Sequence, residues 1–340
     1  MSDRADDTTA FLATTPFAGW ARRHLAGDAS NRRYERLTGP EGRTAVLMDA
    51  PPHRGEDVAP FLRIAAHLAA MGIASPAILV QDTARGFVLL EDFGDALFAR
   101  VLAQDPTREV ELYTLATDLL LALHRHPAPP DLPRFQPPFT PEFIALAHGW
   151  YRHDATGGVP GDAAPFCAAL NDAVLTHANE QSVTILRDYH AENLVLRPGR
   201  ARMAQVGVLD FQDAMAGHPA YDLVSLLADA RRDVAPATRE AMIEHYVARS
   251  GFDNDKFRTC CAVLSAQRNL RILGVFARLC LHFGKAQYVG LIPRVWGHLM
   301  RDLTDPALSE LRDITLADLP TPTTDHLNNL RARCATIPMP

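Results

Sequence analysis

The first part of the chain alternates short apolar runs with turns, a pattern typical of a small antiparallel sheet. Four short stretches are predicted to be strands: residues 34–38, 43–49, 76–82 and 86–91. Between the second and third, apolar residues recur at helical spacing from about Glu56 to Met71, and Gly72 ends that pattern. We therefore expect residues 1–94 to form one mixed lobe built on a sheet and a helix.

Beyond that point the hydrophobic pattern becomes helical. Residues 107–125 and 255–283 both carry apolar side chains at helical spacing. A connector at 127–141 holds seven prolines and is expected to be an extended surface loop. Residues 95–340 are thus predicted to form a larger, mainly helical lobe. Its end, from about Leu319, is rich in Thr and Pro and is expected to be loosely held.

Two apolar runs interrupt the helical part, and each is followed by polar side chains. Val183–Leu186 precedes Arg-Asp-Tyr-His-Ala-Glu-Asn, and Val206–Leu209 precedes Asp-Phe-Gln-Asp. In phosphoryl transfer, the Asp of R-D-x-x-x-x-N accepts the proton of the attacking hydroxyl. The Asn and the Asp of a following D-F hold magnesium. This assigns Asp188 as a candidate base and Asn193 and Asp210 as candidate metal ligands. The alternative is a pair of solvated turns capped by Asp and Asn.

A third motif, Gly217-His218-Pro219-Ala220-Tyr221-Asp222-Leu223, follows these two, and Pro219 can open a helix. The ordered set resembles the aminoglycoside phosphotransferases and their choline-kinase and homoserine-kinase relatives, which share the protein-kinase-like fold. Four other segments resemble one branch, the anomeric kinases of N-acetylmuramate and N-acetylglucosamine. These segments are 27–34, 46–52, 89–94 and 267–270. The likeness covers roughly residues 20 to 300.

This resemblance implies an α+β fold with a small antiparallel-sheet lobe at the N-terminus and a larger helical lobe that binds substrate. It implies ATP and Mg²⁺ as cofactors and the anomeric hydroxyl of a cell-wall amino sugar as the phosphoryl acceptor, in peptidoglycan recycling. Asp222 would brace the catalytic loop, and His190 would support the shape of that loop.

The nucleotide side departs from the protein-kinase pattern. Kinases cover the phosphates with G-x-G-x-x-G and pair them with a strand lysine, and this chain has neither. The lysine position falls near Met48, and since the resembling branch is likewise lysine-free in this segment, the departure supports the resemblance to that branch. The candidate phosphate ligands are Ser30, Asn31, Arg32 and Arg33, with Arg33 or Arg32 as the missing cation. Glu91 and Phe93 would offer backbone groups to adenine. The alternatives are solvated arginines and a plain strand end.

Candidate acceptor-binding residues lie on the long helix near the end of the chain. Gln267, Arg268 and Arg271 share that helix, where Arg268 and Arg271 are neighbours at i, i+3. A guanidinium fork suits a sugar that carries a carboxylate. Trp150 and Tyr151 would supply an aromatic face. The alternatives are a solvated helix face and a core Trp-Tyr pair.

Composition restricts the remaining possibilities. The net charge of −6 disfavours a nucleic-acid partner. The polar N-terminus and the lack of an apolar run near 18 residues lead us to expect a cytoplasmic protein without a membrane partner. The five cysteines form no C-x-x-C pair, so buried thiols are expected rather than zinc. Nothing in the sequence assigns an oligomeric state.

Two rival functions stay open at this stage. One is a kinase of the same fold with another acceptor, such as an aminoglycoside, a choline-like alcohol or homoserine, and a cationic acceptor would call for an acidic pocket. The other is a nucleotide-binding pseudokinase, suggested by Met48. The presence of Asp188, Asn193 and Asp210 together argues against that second reading.

Overall fold

A computed structural model describes residues 4–25, 31–152 and 163–338. The chain divides into two compact units. Unit 1 contains Met1–Arg108 and Glu192–Ala214, and unit 2 contains Glu109–Ala191 and Met215–Pro340. The lobe boundary predicted after residue 94 stays a prediction.

Unit 1 contains a five-stranded antiparallel sheet in the order β1-β2-β3-β5-β4. Its strands are β1 (Ala21–His24), β2 (Arg33–Thr38), β3 (Thr44–Asp49), β4 (Ile78–Asp82) and β5 (Phe87–Glu91). The four predicted strands are confirmed as β2 to β5, and the predicted helix is α2 (Ala59–Ala70). The hydrophobic pattern did not predict β1, which pairs with β2 and is exposed along its length.

Helix α1 (Arg4–Ala13), which the sequence analysis also missed, closes one apolar cluster of unit 1. Phe11 stacks on Phe87 with ring centroids 5.1 Å apart, and Leu47 and Leu89 are buried in the same cluster. Arg4 Nε donates to Asp49 Oδ1 over 2.9 Å. These contacts order a stretch whose sequence alone is polar.

A short hairpin from later in the chain belongs to unit 1. Strand β7 (Leu194–Leu196) pairs antiparallel with β8 (Val206–Val208). Isolated bridges join Val195 to Leu97, just before α3 (Phe98–Gln104), and Gly207 to Ala74. The hairpin therefore brings the ends of two predicted catalytic segments into unit 1.

Unit 2 is mainly helical. Its helices are α4 (Glu109–Leu123), α5 (Pro141–Ile144), α6 (Ala164–His177), α7 (Ala220–Leu227), α8 (Pro236–Ser250), α9 (Asn254–Leu281), α10 (Ile292–Asp302), α11 (Ser309–Asp318) and α12 (Thr324–Ala332). A two-stranded ladder pairs β6 (Val183–Ile185) with β9 (Met215–Gly217). Among the described helices, none is both long and apolar enough to cross a bilayer.

Helix α9 lies at the centre of unit 2 and is buried over most of its length. Asp253 caps its N-terminus by accepting from Lys256 N over 3.0 Å. At Gly274 the helix meets the segment before a π-helical turn at Ala147–Tyr151, because a Cβ there would lie 2.2 Å from the Leu146 carbonyl carbon. Helices α4 and α9 confirm the two helical patterns predicted for this part of the chain.

The expectation of a loose C-terminal stretch is wrong. Helix α12 forms within it, with Leu330 fully buried and Leu327 nearly so. Thr323 Oγ1 caps the helix by accepting from His326 N over 3.2 Å. The Thr and Pro residues therefore precede and cap a helix rather than prevent one.

Candidate active site

A cavity of about 340 Å³ lies within unit 1. Its lining combines strand β2, the segment after β5 and both ends of the β7–β8 hairpin, and includes Tyr34, Arg36, Glu91, Phe93, Asn193 and Asp210. The structure thus brings together two predicted adenine-binding positions and the two predicted metal ligands.

The segment Glu91–Phe93 is fixed by the β7–β8 hairpin. The Arg197 guanidinium lies over the Phe93 ring at 4.3 Å and donates to Glu91 Oε1 over 3.1 Å. Gly207 lies so close to the Phe93 ring that a Cβ there would be 2.5 Å from it. Glu91 N donates to Ala77 O over 2.9 Å, whereas no described residue accepts from Phe93 N. Phe93 N–H is therefore the better candidate donor for a base in the cavity.

Asn193 and Asp210 form the candidate metal pair. Asn193 Nδ2 is 3.4 Å from Asp210 Oδ2, and Gln212 Nε2 donates to Asp210 Oδ1 over 2.8 Å. Asp210 has a φ of 57°, a left-handed backbone conformation uncommon for a non-glycine residue. Within the described chain, no three His, Cys, Asp or Glu side chains gather into a metal cage. A carboxylate and a carboxamide fit Mg²⁺, which often takes few protein ligands and completes its shell with waters and phosphates.

Three of the predicted phosphate ligands, Asn31, Arg32 and Arg33, are not in the cavity lining. Arg32 Nε pairs with Glu56 Oε2 at 2.9 Å, and Asn31 N donates to Glu56 Oε1 over 3.0 Å. Arg33 is exposed at the start of β2. Ser30 lies outside the described residues. Met48, in the lysine position, is fully buried and accepts a weak bond from Tyr34 OH at 3.6 Å.

Sequence reasoning missed Arg36, which lines the cavity together with Arg100. Its guanidinium pairs with Asp92 and with Asp95, each at 2.7 Å. The Arg36 hydrogen bond lowers the pKa of Asp95 below its usual value. Arg36 therefore clamps the segment that follows Glu91. The sequence signal that could have indicated Arg36 is the alternation of side chains along β2, which puts Tyr34 and Arg36 on one face of the sheet.

In unit 2 the loop of Asp188 is held from several sides. Asp222 accepts from Leu186 N at 2.6 Å and from Arg187 N at 2.8 Å. Tyr189 OH donates to Ala116 O over 2.8 Å. Asp188 itself is half-buried. These contacts fit the predicted brace role of Asp222.

Electrostatics in this loop follow from burial. Burial raises the pKa of Asp222 to about 7, while its two backbone donors lower it. Burial lowers the pKa of His190 well below its usual value, and Arg231, whose Nη1 is 3.3 Å from His190 Nε2, acts in the same direction. His190 is therefore neutral at physiological pH, which is compatible with its predicted role of supporting the shape of the loop.

The predicted acceptor residues of α9 lie near this loop within unit 2. Gln267 is fully buried, Arg268 is 8% exposed, and neither Gln267 amide atom nor Arg268 Nη1 has a hydrogen-bond partner among the described residues. Arg271 interacts electrostatically with Asp188, and its guanidinium lies 5.0 Å over the Phe143 ring. Phe143, which sequence reasoning missed, therefore helps to orient Arg271.

Trp150 and Tyr151 pack elsewhere in unit 2. Tyr151 is fully buried, and its hydroxyl donates to Pro320 O over 2.7 Å. Its ring meets His326 edge-on at 4.8 Å, and Trp150 is 7% exposed near His282. These contacts are those of core side chains, and the predicted sugar-stacking role of the pair stays a prediction.

Curated relatives with high coverage agree with the resemblance. The N-acetylmuramate/N-acetylglucosamine kinase of Caulobacter vibrioides is 37% identical over 353 aligned positions, covering 92% of this chain and 95% of the relative. The protein of the same name from Pseudomonas aeruginosa is 33% identical, covering 87% of each chain.

Solved structures share the fold at low identity. An amicoumacin kinase superposes with a TM-score of 0.61 at 14% identity, over 90% of this chain and 95% of that one. A choline kinase from Streptococcus pneumoniae superposes with a TM-score of 0.53 at 12% identity, over 92% and 100% of the two chains. The fold is therefore the protein-kinase-like α+β fold expected from the sequence.

The family model described as phosphotransferase enzyme family matches residues 22–258. With these motifs and relatives, the chain belongs to the phosphotransferase enzyme family and is a kinase.

Proposed function

We propose that this kinase transfers the γ-phosphoryl group of ATP to the anomeric hydroxyl of N-acetylmuramate or N-acetylglucosamine. The observation that carries the proposal is the set of curated relatives with that name, 31–37% identical over 81–92% of this chain. The positive charge of the arginines near the predicted acceptor residues in unit 2 gives independent support.

The nucleotide would occupy the cavity of unit 1. Phe93 N–H would donate to the adenine, and the Arg36 clamp would hold the segment that presents it. Asn193 and Asp210 would hold Mg²⁺, which when bound neutralises charge on the phosphates. ATP and magnesium are thus the proposed cofactors.

Asp188 would act as the base. As the acceptor oxygen forms its bond to the γ-phosphorus, its proton passes to the Asp188 carboxylate, and ADP leaves with the electrons of the broken P–O bond. Asp222 and Tyr189 keep the loop in one conformation, which reduces the entropy cost of orienting the carboxylate.

The charges near the predicted acceptor residues disfavour a cationic acceptor. Arg268 is buried and Arg271 is half-buried, and Arg271 acts on Asp188. An ammonium group beside a buried guanidinium is repelled, whereas the lactyl carboxylate of N-acetylmuramate or a neutral hydroxyl is not. This argues against aminoglycosides and choline as acceptors.

The test is ATP consumption with a panel of acceptors: N-acetylmuramate, N-acetylglucosamine, kanamycin, choline and homoserine. We expect turnover with the two amino sugars and background rates with the rest. A higher kcat/KM with kanamycin, choline or homoserine would overturn the proposal.

The methyl glycosides of the amino sugars test the position of transfer. They keep every group except the free anomeric hydroxyl, so they should bind but not react. Phosphorylation of a methyl glycoside at a rate near that of the free sugar would show transfer to another hydroxyl.

A further inference from the structure

Asp229 is a buried carboxylate that the proposed reaction has not yet used. It follows α7, the helix whose Asp222 braces the catalytic loop, and it is 1% exposed. Its Oδ1 accepts from Arg231 N over 2.8 Å, and its Oδ2 has no hydrogen-bond partner among the described residues. Such an oxygen is costly to bury unless something donates to it.

A buried donor without a partner belongs to the same neighbourhood. Arg268 interacts electrostatically with Asp229, with Asp222 and with His190, and its Nη1 is buried without an acceptor. One unpaired acceptor and one unpaired donor, both more than nine-tenths buried, therefore belong to one electrostatic cluster of unit 2. A ligand that offers a donor and an acceptor on adjacent atoms would satisfy both.

We propose that Asp229 is a specificity-determining residue that accepts a hydrogen bond from the 4-hydroxyl of the sugar acceptor. The inference rests on the proposed function. In N-acetylmuramate the lactyl ether occupies position 3, so its carboxylate and the 4-hydroxyl project from adjacent carbons. Arg268 binds that carboxylate, while Asp229 accepts a hydrogen bond from the 4-hydroxyl. In N-acetylglucosamine the 4-hydroxyl is retained, which lets one site accept both sugars.

A hydroxyl suits this oxygen better than an ammonium group does. Arg231, Arg232 and Arg268 all act electrostatically on Asp229, so a cation placed there would meet three guanidinium groups. A neutral donor is not repelled and still donates a hydrogen bond to the carboxylate.

The test compares N-acetylglucosamine with its 3-deoxy, 4-deoxy and 6-deoxy analogues on the wild-type enzyme and on Asp229→Asn. The wild type should lose about 10-fold or more in kcat/KM with the 4-deoxy analogue, and clearly less with the other two. Asp229→Asn keeps the size of the side chain and removes the charge, so it should lose about 10-fold with the parent sugar. For this variant, kcat/KM should fall little further with the 4-deoxy analogue.

Asp233→Asn is the matched control, because it makes the same change of charge four residues later at an exposed side chain paired with Arg294. It should leave the whole deoxy series unchanged. If Asp229→Asn lowered kcat/KM relative to the wild type by the same factor on all four sugars, Asp229 would have only a structural role and the proposal would be overturned. Because the wild-type series needs no variant, greater sensitivity at position 3 or 6 would overturn it even if Asp229→Asn misfolds. Absence of wild-type turnover with both amino sugars would instead remove the proposed function, and this inference with it.

Discussion

At the residue scale, two predicted site residues adjoin or occupy left-handed backbone. Arg187, which precedes Asp188, has a φ of 71°, and Asp210 has a φ of 57°. Such conformations cost about 1–3 kcal/mol each and persist where surrounding contacts impose them. Asp222 and Ser225 hold the backbone of Arg187, and Gln212 holds the side chain of Asp210. Strain at both positions fits the functional roles proposed for these two loops.

Asp188→Asn tests the proposed base. The amide cannot accept the proton, so kcat should fall by about 10²-fold or more, while the Kd for ATP should stay nearly unchanged. Steady-state kinetics and calorimetric ATP titration measure the two quantities. Asp172→Asn, at an exposed position of α6, is the control. A kcat for Asp188→Asn within a few-fold of wild type would contradict the role.

Asp210→Ala and Asn193→Ala test the metal pair. Asp210 offers a charged ligand and Asn193 a neutral one, so Asp210→Ala should raise the magnesium concentration for half-maximal activity more than Asn193→Ala does. Titration of activity with Mg²⁺ at saturating ATP provides the measurement. Equal magnesium requirements in the two variants would count against the assignment.

At the element scale, α9 is positioned by the close approach at Gly274. Gly274→Ala places a methyl group against the backbone of Leu146, and such overpacking typically costs about 1–3 kcal/mol. We therefore expect a lower Tm and, since Arg271 lies one turn away, a raised acceptor KM.

Gly297→Ala is the control for this change, because Gly297 lies in α10 with open space where the methyl group would go. Alanine there should stabilise the protein by up to about 1 kcal/mol through its higher helix propensity. Both variants can be compared by thermal melting. If Gly274→Ala also raised the Tm, the close approach would not be restrictive.

The elements that the sequence predicted are those whose own apolar residues recur with a clear helical or strand periodicity. Strands β2 to β5 and helices α2, α4 and α9 follow their apolar patterns. Strand β1 and helix α1 do not, because tertiary pairing and contacts such as Arg4 with Asp49 order them. In the site, motifs located Asp188, Asn193 and Asp210 as candidates. The roles of Arg36 and Asp229 depend on burial and on partners distant in sequence, which the alternation of β2 and other local patterns do not by themselves reveal.

At the scale of the whole molecule, the cysteines report on the integrity of unit 2. Four of the five are buried, and only Cys334 is half-exposed. Burial raises the pKa of Cys260 to about 11 and that of Cys280 to about 12, so both are protonated thiols near neutral pH. Because the thiolate is the reactive form, one thiol should react quickly with Ellman's reagent in the native protein.

All five thiols should react after denaturation. Cys334→Ser should abolish the fast phase without changing the slow one. Rapid reaction of two or more thiols in the native wild type would contradict the burial of the other four cysteines.

The late hairpin of unit 1 has a consequence for synthesis on the ribosome. Phe61 of α2 stacks on Phe211 with centroids 4.8 Å apart, and Phe93 packs against Gly207, yet these partners are made about 150 and about 114 residues later. At ~5–20 residues per second, the N-terminal segment waits roughly 6–30 s with these aromatic surfaces uncovered. A nascent chain stalled before Glu192 also lacks Asn193 and Asp210. It should therefore recruit chaperones and bind no magnesium nucleotide until the hairpin emerges.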